Sequence, residues 1–312
     1  MTLFEQLAAL TTEHVNPGTA DIDLVDTQTL VALLNREDQM VAEAVATQSE
    51  SIATAIDAIA AAFRRGGRLV YVGAGTSGRL GVVDASECPP TYGTHPALVQ
   101  GVIAGGKGAV FASVEGAEDD PEAGAAAIRD LPTVEGELRG VGGEDVVCGI
   151  TASGRTPYVI GALAEAERRG AATILVSTNP LDVVSAIAPF VTIHICPVVG
   201  PEPISGSTRM KSGTAQKMVL NMLTTGAMVR IGKTFGNVMV DLQRTNAKLQ
   251  ERAKHIVMRI TGATHDHAES LLEASEGSVK VAIVMGLHEC SAETARALLA
   301  EADGTIRGIK RS

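Results

Sequence analysis

The chain has 312 residues and a formal net charge of −10; 45% of its residues are hydrophobic but only 3% aromatic, and tryptophan is absent. Its core must be built from Ala, Val, Ile and Leu, and with 33 glycines this favours helices packed closely on a parallel sheet over a β-sandwich. Nothing in the acidic balance favours nucleic acid, where a basic stripe would be expected, and no run of about 18 apolar residues exists to cross a membrane.

Glu5 stands where a secretory leader would be basic, and the apolar stretch around it is short, so a cytoplasmic protein is expected. Cys88, Cys148, Cys196 and Cys290 lie far apart without a CxxC pair. That speaks against a zinc site or a disulfide framework and for a reducing compartment. After a polar lead containing Asn16-Pro17-Gly18, apolar residues recur at Leu30, Leu33, Leu34, Val41 and Val45, then at Ile52, Ile56, Ile59 and Phe63. This spacing predicts helices with one buried face, and Gly66-Gly67 stops the last of them.

Short apolar runs follow at residues 68–72, 97–103, 145–150, 173–177 and 190–195, with helical stretches such as 157–169 between them. Five strands alternating with helices predict a doubly wound, five-stranded parallel sheet. Residues 69–72 and 146–150 are nearly continuous in apolar character, as strands covered on both faces should be. From about residue 208 the strand signal fades into a long helix over 208–230 and several shorter ones. Beyond about residue 262 a separate apolar set, including Leu271, Leu272, Ile283 and Leu299, predicts a small three-helix appendage.

In a doubly wound sheet, ligands bind outside the carboxyl ends of the strands. Two loops there share one make-up: Gly73-Ala74-Gly75-Thr76-Ser77-Gly78-Arg79 and Thr151-Ala152-Ser153-Gly154-Arg155-Thr156-Pro157. Small residues let the backbone approach an anion, hydroxyls can donate to it, and helix-start amides favour negative charge. One such loop would be matched by a tight turn with hydroxyl caps; two after two strands point to a phosphate. The first loop also fits GxGxxG, but the second strand ends in Ala104-Gly105-Gly106 without the acidic residue that would hold a ribose. No Lys follows the last Gly, so the Walker motif fails as well.

Two further segments carry carboxylates. Asp84-Ala85-Ser86-Glu87-Cys88-Pro89-Pro90-Thr91 places Glu87 on the expected turn after the first loop, and Glu115-Gly116-Ala117-Glu118-Asp119-Asp120 follows the second strand. Carboxylates near a bound phosphate are costly unless they move protons, although the second cluster also suits a solvated helix start. A third loop at 200–211, with Ser205, Ser207, Thr208, Arg209 and Lys211, opens the long helix. His265 and His267 would point apart on a helix, Cys88 has no well-spaced His and reads as a packed thiol, and there is no GxSxG or HExxH.

Taken together, the three loops resemble a sugar isomerase (SIS) domain, a flavodoxin-like phosphosugar-binding fold. The blocks VGAGTSGRLG (72–81), DASECPPTYG (84–93), ITASGRTPYV (150–159) and SGSTRMKSGTAQK (205–217) resemble more closely the N-acetylmuramic acid 6-phosphate etherase family, with Ser212 where that family's block has Ala. The likeness extends over nearly the whole chain; the glucokinase regulatory protein is a more distant relative with two such domains. The resemblance implies an N-terminal helical segment (1–58), a SIS domain (59–222) and a helical C-terminal region (223–312). It also implies a carbon–oxygen lyase without cofactor or metal, which removes the C2 proton of a small sugar phosphate, expels D-lactate from its C3 ether and adds water back, and a homodimer whose subunits complete each other's sites.

Carried over residue by residue, the family's catalytic carboxylates match Glu87 and Glu118. Phosphate would be held by Thr76, Ser77, Ser153 and Thr156. Gly75, Arg79, Arg155, Ser205, Ser207, Arg209 and Lys211 are further substrate-binding candidates, with Arg79, Arg155, Arg209 and Lys211 unranked as partners of the lactyl carboxylate. A phosphosugar-binding regulator would have no use for Glu87 and Glu118, and a DNA-binding one would need more than Arg36 as a cation in the first 60 residues. A phosphosugar isomerase would share the C2 proton chemistry but need no acid for an ether oxygen.

Overall fold

The computed structural model describes residues 10–132, 140–242 and 247–310, so the leader reading on residues 1–9 lies outside the described residues. The chain forms two compact units, Met1–Ser86 with Pro96–Thr224, and Glu87–His95 with Thr225–Ser312.

The first unit opens with helices α1 (Thr27–Ala46) and α2 (Ser49–Arg64). Asp26 caps α1 by accepting the Thr29 N–H at 2.8 Å. Val41, Val45, Ile52, Ile59 and Phe63 are buried as the spacing predicts, but Leu30, Leu33 and Leu34 are only half-buried. The buried position in that part of α1 is instead Glu37, whose carboxylate meets Lys211.

The five strands are β1 (Leu69–Gly73), β2 (Val99–Ile103), β3 (Val146–Ile150), β4 (Ala172–Val176) and β5 (Ile193–Ile195). They form one sheet in the order β2-β1-β3-β4-β5, every pair parallel. Helices α3 (Gly75–Tyr92), α4 (Pro121–Arg129), α5 (Pro157–Arg168) and α6 (Leu181–Ile187) lie between strands, and α7 (Lys211–Arg230) follows β5. Every residue of β1 and β3 is buried, which explains their unbroken apolar runs. One core joins Val70, Val72 and Val147 to Val159 and Leu163 of α5 and Leu175 of β4. On the sheet, the Tyr71 hydroxyl donates to Asp84 Oδ2 (3.0 Å), while Asn221 Nδ2 donates to Asp84 Oδ1 (2.6 Å). Burial pushes the Asp84 carboxyl above its ordinary range, against the pull of these hydrogen bonds. The carboxylate thereby ties β1, α3 and α7 together.

Two helix boundaries differ from the sequence reading. The 84–91 segment is no turn: α3 runs unbroken from Gly75 to Tyr92 with Pro89 and Pro90 inside it, so Glu87 is a helical residue. Each proline removes one N–H from the ladder, yet the helix closes regularly with the Gly93 N–H donating to the Pro89 carbonyl at 2.9 Å. Helix α7 starts at Lys211, not near 208, because the buried Glu202 carboxylate accepts the N–H groups of Lys211 (2.8 Å) and Ser212 (2.9 Å) as a cap.

The second unit contains a hairpin, β6 (Thr234–Phe235) with β7 (Val238–Met239), and helices α8 (Ala247–Thr261), α9 (His265–Ala274), α10 (Val279–His288) and α11 (Ala292–Glu301). Thr264, Ser278 and Ser291 cap the last three through side-chain oxygens. Val240, Val257, Leu272, Ile283 and Leu299 share its core. Asp241 holds Lys233 (3.2 Å) and Lys280 (2.7 Å), and the Arg307 guanidinium lies 4.8 Å over the Phe235 ring.

Candidate active site

The strand order reverses between β1 and β3: the chain leaves β1 toward β2 on one side and β3 toward β4 on the other. Crevices at such a switch point are where open α/β sheets bind ligands. Gly73 and Ile150 are direct register partners, and Gly73 also pairs with Ile103, so the loops after β1, β2 and β3 leave the sheet side by side. The two loops singled out from sequence are thus brought together by the topology.

The first loop is tighter than expected, since α3 already begins at Gly75. A Cβ on Gly73 would stand 2.6 Å from the Gly78 nitrogen, so backbone lies directly on backbone and the first-turn amides reach the crevice. The Thr76 methyl faces Gly213 of α7, and the Ser77 hydroxyl donates to Gln216 Oε1 at 2.8 Å. In the second loop, Gly154 adopts φ +76°. The Thr151 hydroxyl pairs with that of Thr156 (2.8 Å) and contacts that of Ser153 (3.3 Å). Thr156 stands at the cap position of α5 without making a side-chain cap bond. Its hydroxyl therefore does not serve as the simple helix cap that a structural turn would use.

Two buried nitrogens beside these loops, Arg155 Nη1 and Gln216 Nε2, have no hydrogen-bond partner among the described residues. An unsatisfied buried donor costs about 1–3 kcal/mol, which an anion could relieve. The second loop is braced from beneath. The Ala152 carbonyl accepts from Asn179 Nδ2 (2.9 Å), the Ser177 hydroxyl (3.0 Å) and the Thr178 N–H (3.1 Å). Asn179 Oδ1 in turn accepts the Thr11 N–H at 2.8 Å. Ser212 is fully buried, and its hydroxyl accepts from Thr178 at 3.0 Å.

A cleft of about 230 Å³ opens beside the first loop. It is lined by Ala74, Gly75 and Arg79 from the loop and α3, by Ala104 at the end of β2, and by residues of 113–118 including Glu115 and Glu118. Glu118 sits in a short 3₁₀ turn, Ala117–Asp119, entered through Gly116 at φ +73°. Asp120 then caps α4 by accepting the Ala123 N–H at 2.9 Å. Gly124 and Gly161 let α4 and α5 approach backbone to backbone at Tyr158 and Pro121, which fixes the turn that presents Glu118. Glu118 is exposed to solvent in the cleft wall, and Glu87 is exposed on α3.

The third loop divides the remaining candidates. Lys211 is a correction: its side chain is 1% exposed, and Nζ lies 2.8 Å from Glu37 Oε2. Asn16 Nδ2 donates to the same oxygen at 2.7 Å. A charge so committed is not available to a substrate. Burial pushes the Glu37 carboxyl up, but hydrogen bonds from Lys211 and Asn16 outweigh it and hold the group below its ordinary value. Arg209 and Ser205 are exposed, Ser207 is half-buried, and the Ser205 hydroxyl reaches the His14 carbonyl at 3.4 Å. Sequence reasoning missed Asn179, Gln216 and Glu202. The polar run Ser177-Thr178-Asn179-Pro180 after β4 was the available signal for the first; only the fold could show the others.

A family model described as the glucokinase regulatory protein N-terminal SIS domain matches residues 51–167. The chain is 53% identical over 304 residues to an N-acetylmuramic acid 6-phosphate etherase of Rhodopirellula baltica, with 97% of each chain covered. It is 52% identical to the protein of that name from Salinibacter ruber, over 98% of this chain and 95% of the other. Among solved structures it is similar to phosphoheptose isomerase from Neisseria gonorrhoeae, at 17% identity and a TM-score of 0.42, over 66% of this chain and 98% of that one.

Proposed function

The chain belongs to the N-acetylmuramic acid 6-phosphate etherase family, and on that premise we propose that it cleaves the D-lactyl ether of N-acetylmuramic acid 6-phosphate, giving N-acetylglucosamine 6-phosphate and D-lactate. The observation that carries the reading into this chain's own geometry is the cleft at the ends of β1 and β2, whose wall joins a carboxylate, Glu118, to the start of the first loop. A phosphate cradle alone would suit any sugar-phosphate binder. A carboxylate in the same crevice supplies the proton chemistry that an elimination requires.

In the open-chain sugar, the C2 proton is acidified by the neighbouring aldehyde, and Glu118 removes it. The ether oxygen at C3 leaves as an alkoxide, a poor leaving group unless protonated, and Glu87 supplies that proton. Water then adds to the unsaturated intermediate with Glu87 as base, which returns the hydroxyl at C3, and a solvent-exchanged proton goes back to C2 from Glu118. The phosphate is held by Thr76, Ser77, Ser153 and Thr156, with first-turn amides of α3 behind them. None of these steps calls for a metal or an organic cofactor. The protein works in the cytoplasm as a homodimer, in the recycling of cell-wall amino sugars.

Incubation of the protein with N-acetylmuramic acid 6-phosphate should release D-lactate and N-acetylglucosamine 6-phosphate in equal amounts. Tight binding of the ether without release of lactate would contradict the reading and favour a phosphosugar sensor.

A further inference from the structure

We propose that Arg79 recognises the substrate's second anion, the carboxylate of the lactyl ether, and so distinguishes the ether from the sugar phosphate it becomes. The inference rests on the etherase reading and assigns a partner to the one charged group of the substrate that the phosphate loops do not explain. That carboxylate must enter a cleft whose wall already carries Glu115 and Glu118. An uncompensated third negative charge there would be repelled, so the cleft needs a cation.

The loops offer four. Lys211 is buried against Glu37. Arg209 is exposed and does not line the cleft. Arg155 lies between Ser153 and Thr156 within the phosphate loop, where its buried Nη1 suits the phosphate itself. Arg79 alone among them lines the cleft with Glu118.

Its geometry fits a carboxylate. Arg79 is half-buried, and its Nε donates to the Val110 carbonyl at 3.0 Å, its one hydrogen bond among the described residues. One edge of the guanidinium is thereby anchored to backbone, and the two terminal nitrogens are left to make a paired fork onto two oxygens. Arg79 stands four residues after Gly75 in α3, so it shares a helix face with the start of the phosphate loop. A planar, pre-oriented fork on that face, in the cleft that holds the C2 base, is a recognition element for a carboxylate attached at C3.

The test is equilibrium binding to the full-length chain carrying Glu118→Gln, which turns the ether over roughly 10²–10⁴-fold more slowly, read before product accumulates, with and without Arg79→Ala. N-acetylmuramic acid 6-phosphate and N-acetylglucosamine 6-phosphate are the two probes. Loss of one charged, two-point contact should weaken the ether about 10- to 100-fold and the lactate-free sugar phosphate by no more than about threefold. Arg79→Lys, which keeps the charge but not the fork, should fall between, again selectively for the ether. The lactate-free probe also reports that the variants are folded. Equal weakening of both probes, or of neither, in both variants would overturn the proposal. The underlying etherase reading fails by a separate sign, absence of D-lactate release from the unmodified protein.

Discussion

Glu118→Gln should lower D-lactate release by roughly 10²–10⁴-fold, the range expected when a positioned proton-transfer group is removed, and it should abolish exchange of the C2 proton as well. Glu87→Gln should reduce lactate release comparably while leaving C2 exchange in the ether measurable, because it removes the acid for the leaving oxygen and not the base for carbon. The contrast in exchange, read by proton NMR in deuterated water, separates the two roles. Both side chains are exposed, so neither substitution should change stability by more than about 0.5 kcal/mol. Loss of exchange in Glu87→Gln with retention in Glu118→Gln would reverse the assignment. Full activity in either variant would remove that residue from the chemistry.

Lys211→Met is the variant expected to cost most in stability. It keeps the side-chain length but removes the buried partner of the 7%-exposed Glu37 carboxylate, leaving only the exposed Arg36 guanidinium at 3.9 Å as its cation. Breaking a buried pair from one side costs roughly 3–5 kcal/mol, a fall in Tm on the order of 10 °C. The pH dependence has a definite sign. The Glu37 carboxyl is held below its ordinary value of 4.5, so the pair's contribution is complete above that value and is lost as pH falls through the lower folded-state value. The Tm difference between the two proteins should therefore be largest near neutral pH and shrink in acid. The double variant Glu37→Leu with Lys211→Met should recover much of the loss, since an apolar pair of similar volume avoids the buried charge. A Tm unchanged at pH 7 in Lys211→Met would show that the pair contributes nothing.

These expectations depend on residues that were legible in the sequence to different degrees. The five strands were visible because a parallel sheet covered on both faces demands apolar runs, and the loops after β1 and β3 because glycines and hydroxyls cluster there. Register is a property of the assembled sheet: nothing in the local pattern says that Gly73 pairs with Ile150 and so sets the two loops side by side. Glu87 was expected on the turn after the first loop, and α3 instead continues through it and through Pro89 and Pro90 to Tyr92. Lys211 looked like a ligand because a lysine beside serines and glycines has the right composition. Only the partner 174 positions away, Glu37, reveals it as an internal ion pair. In the same way, Arg79 could be separated from Arg155 and Arg209 only once the cleft had walls.

The proposed reaction stands on loss of the C2 proton and elimination of lactate before water returns. Turnover of N-acetylmuramic acid 6-phosphate in deuterated water tests it most directly, with the product read by mass and by NMR. One deuterium at C2 of the N-acetylglucosamine 6-phosphate formed is the expected result. Product carrying its original hydrogen at C2, with D-lactate released at the normal rate, would contradict it.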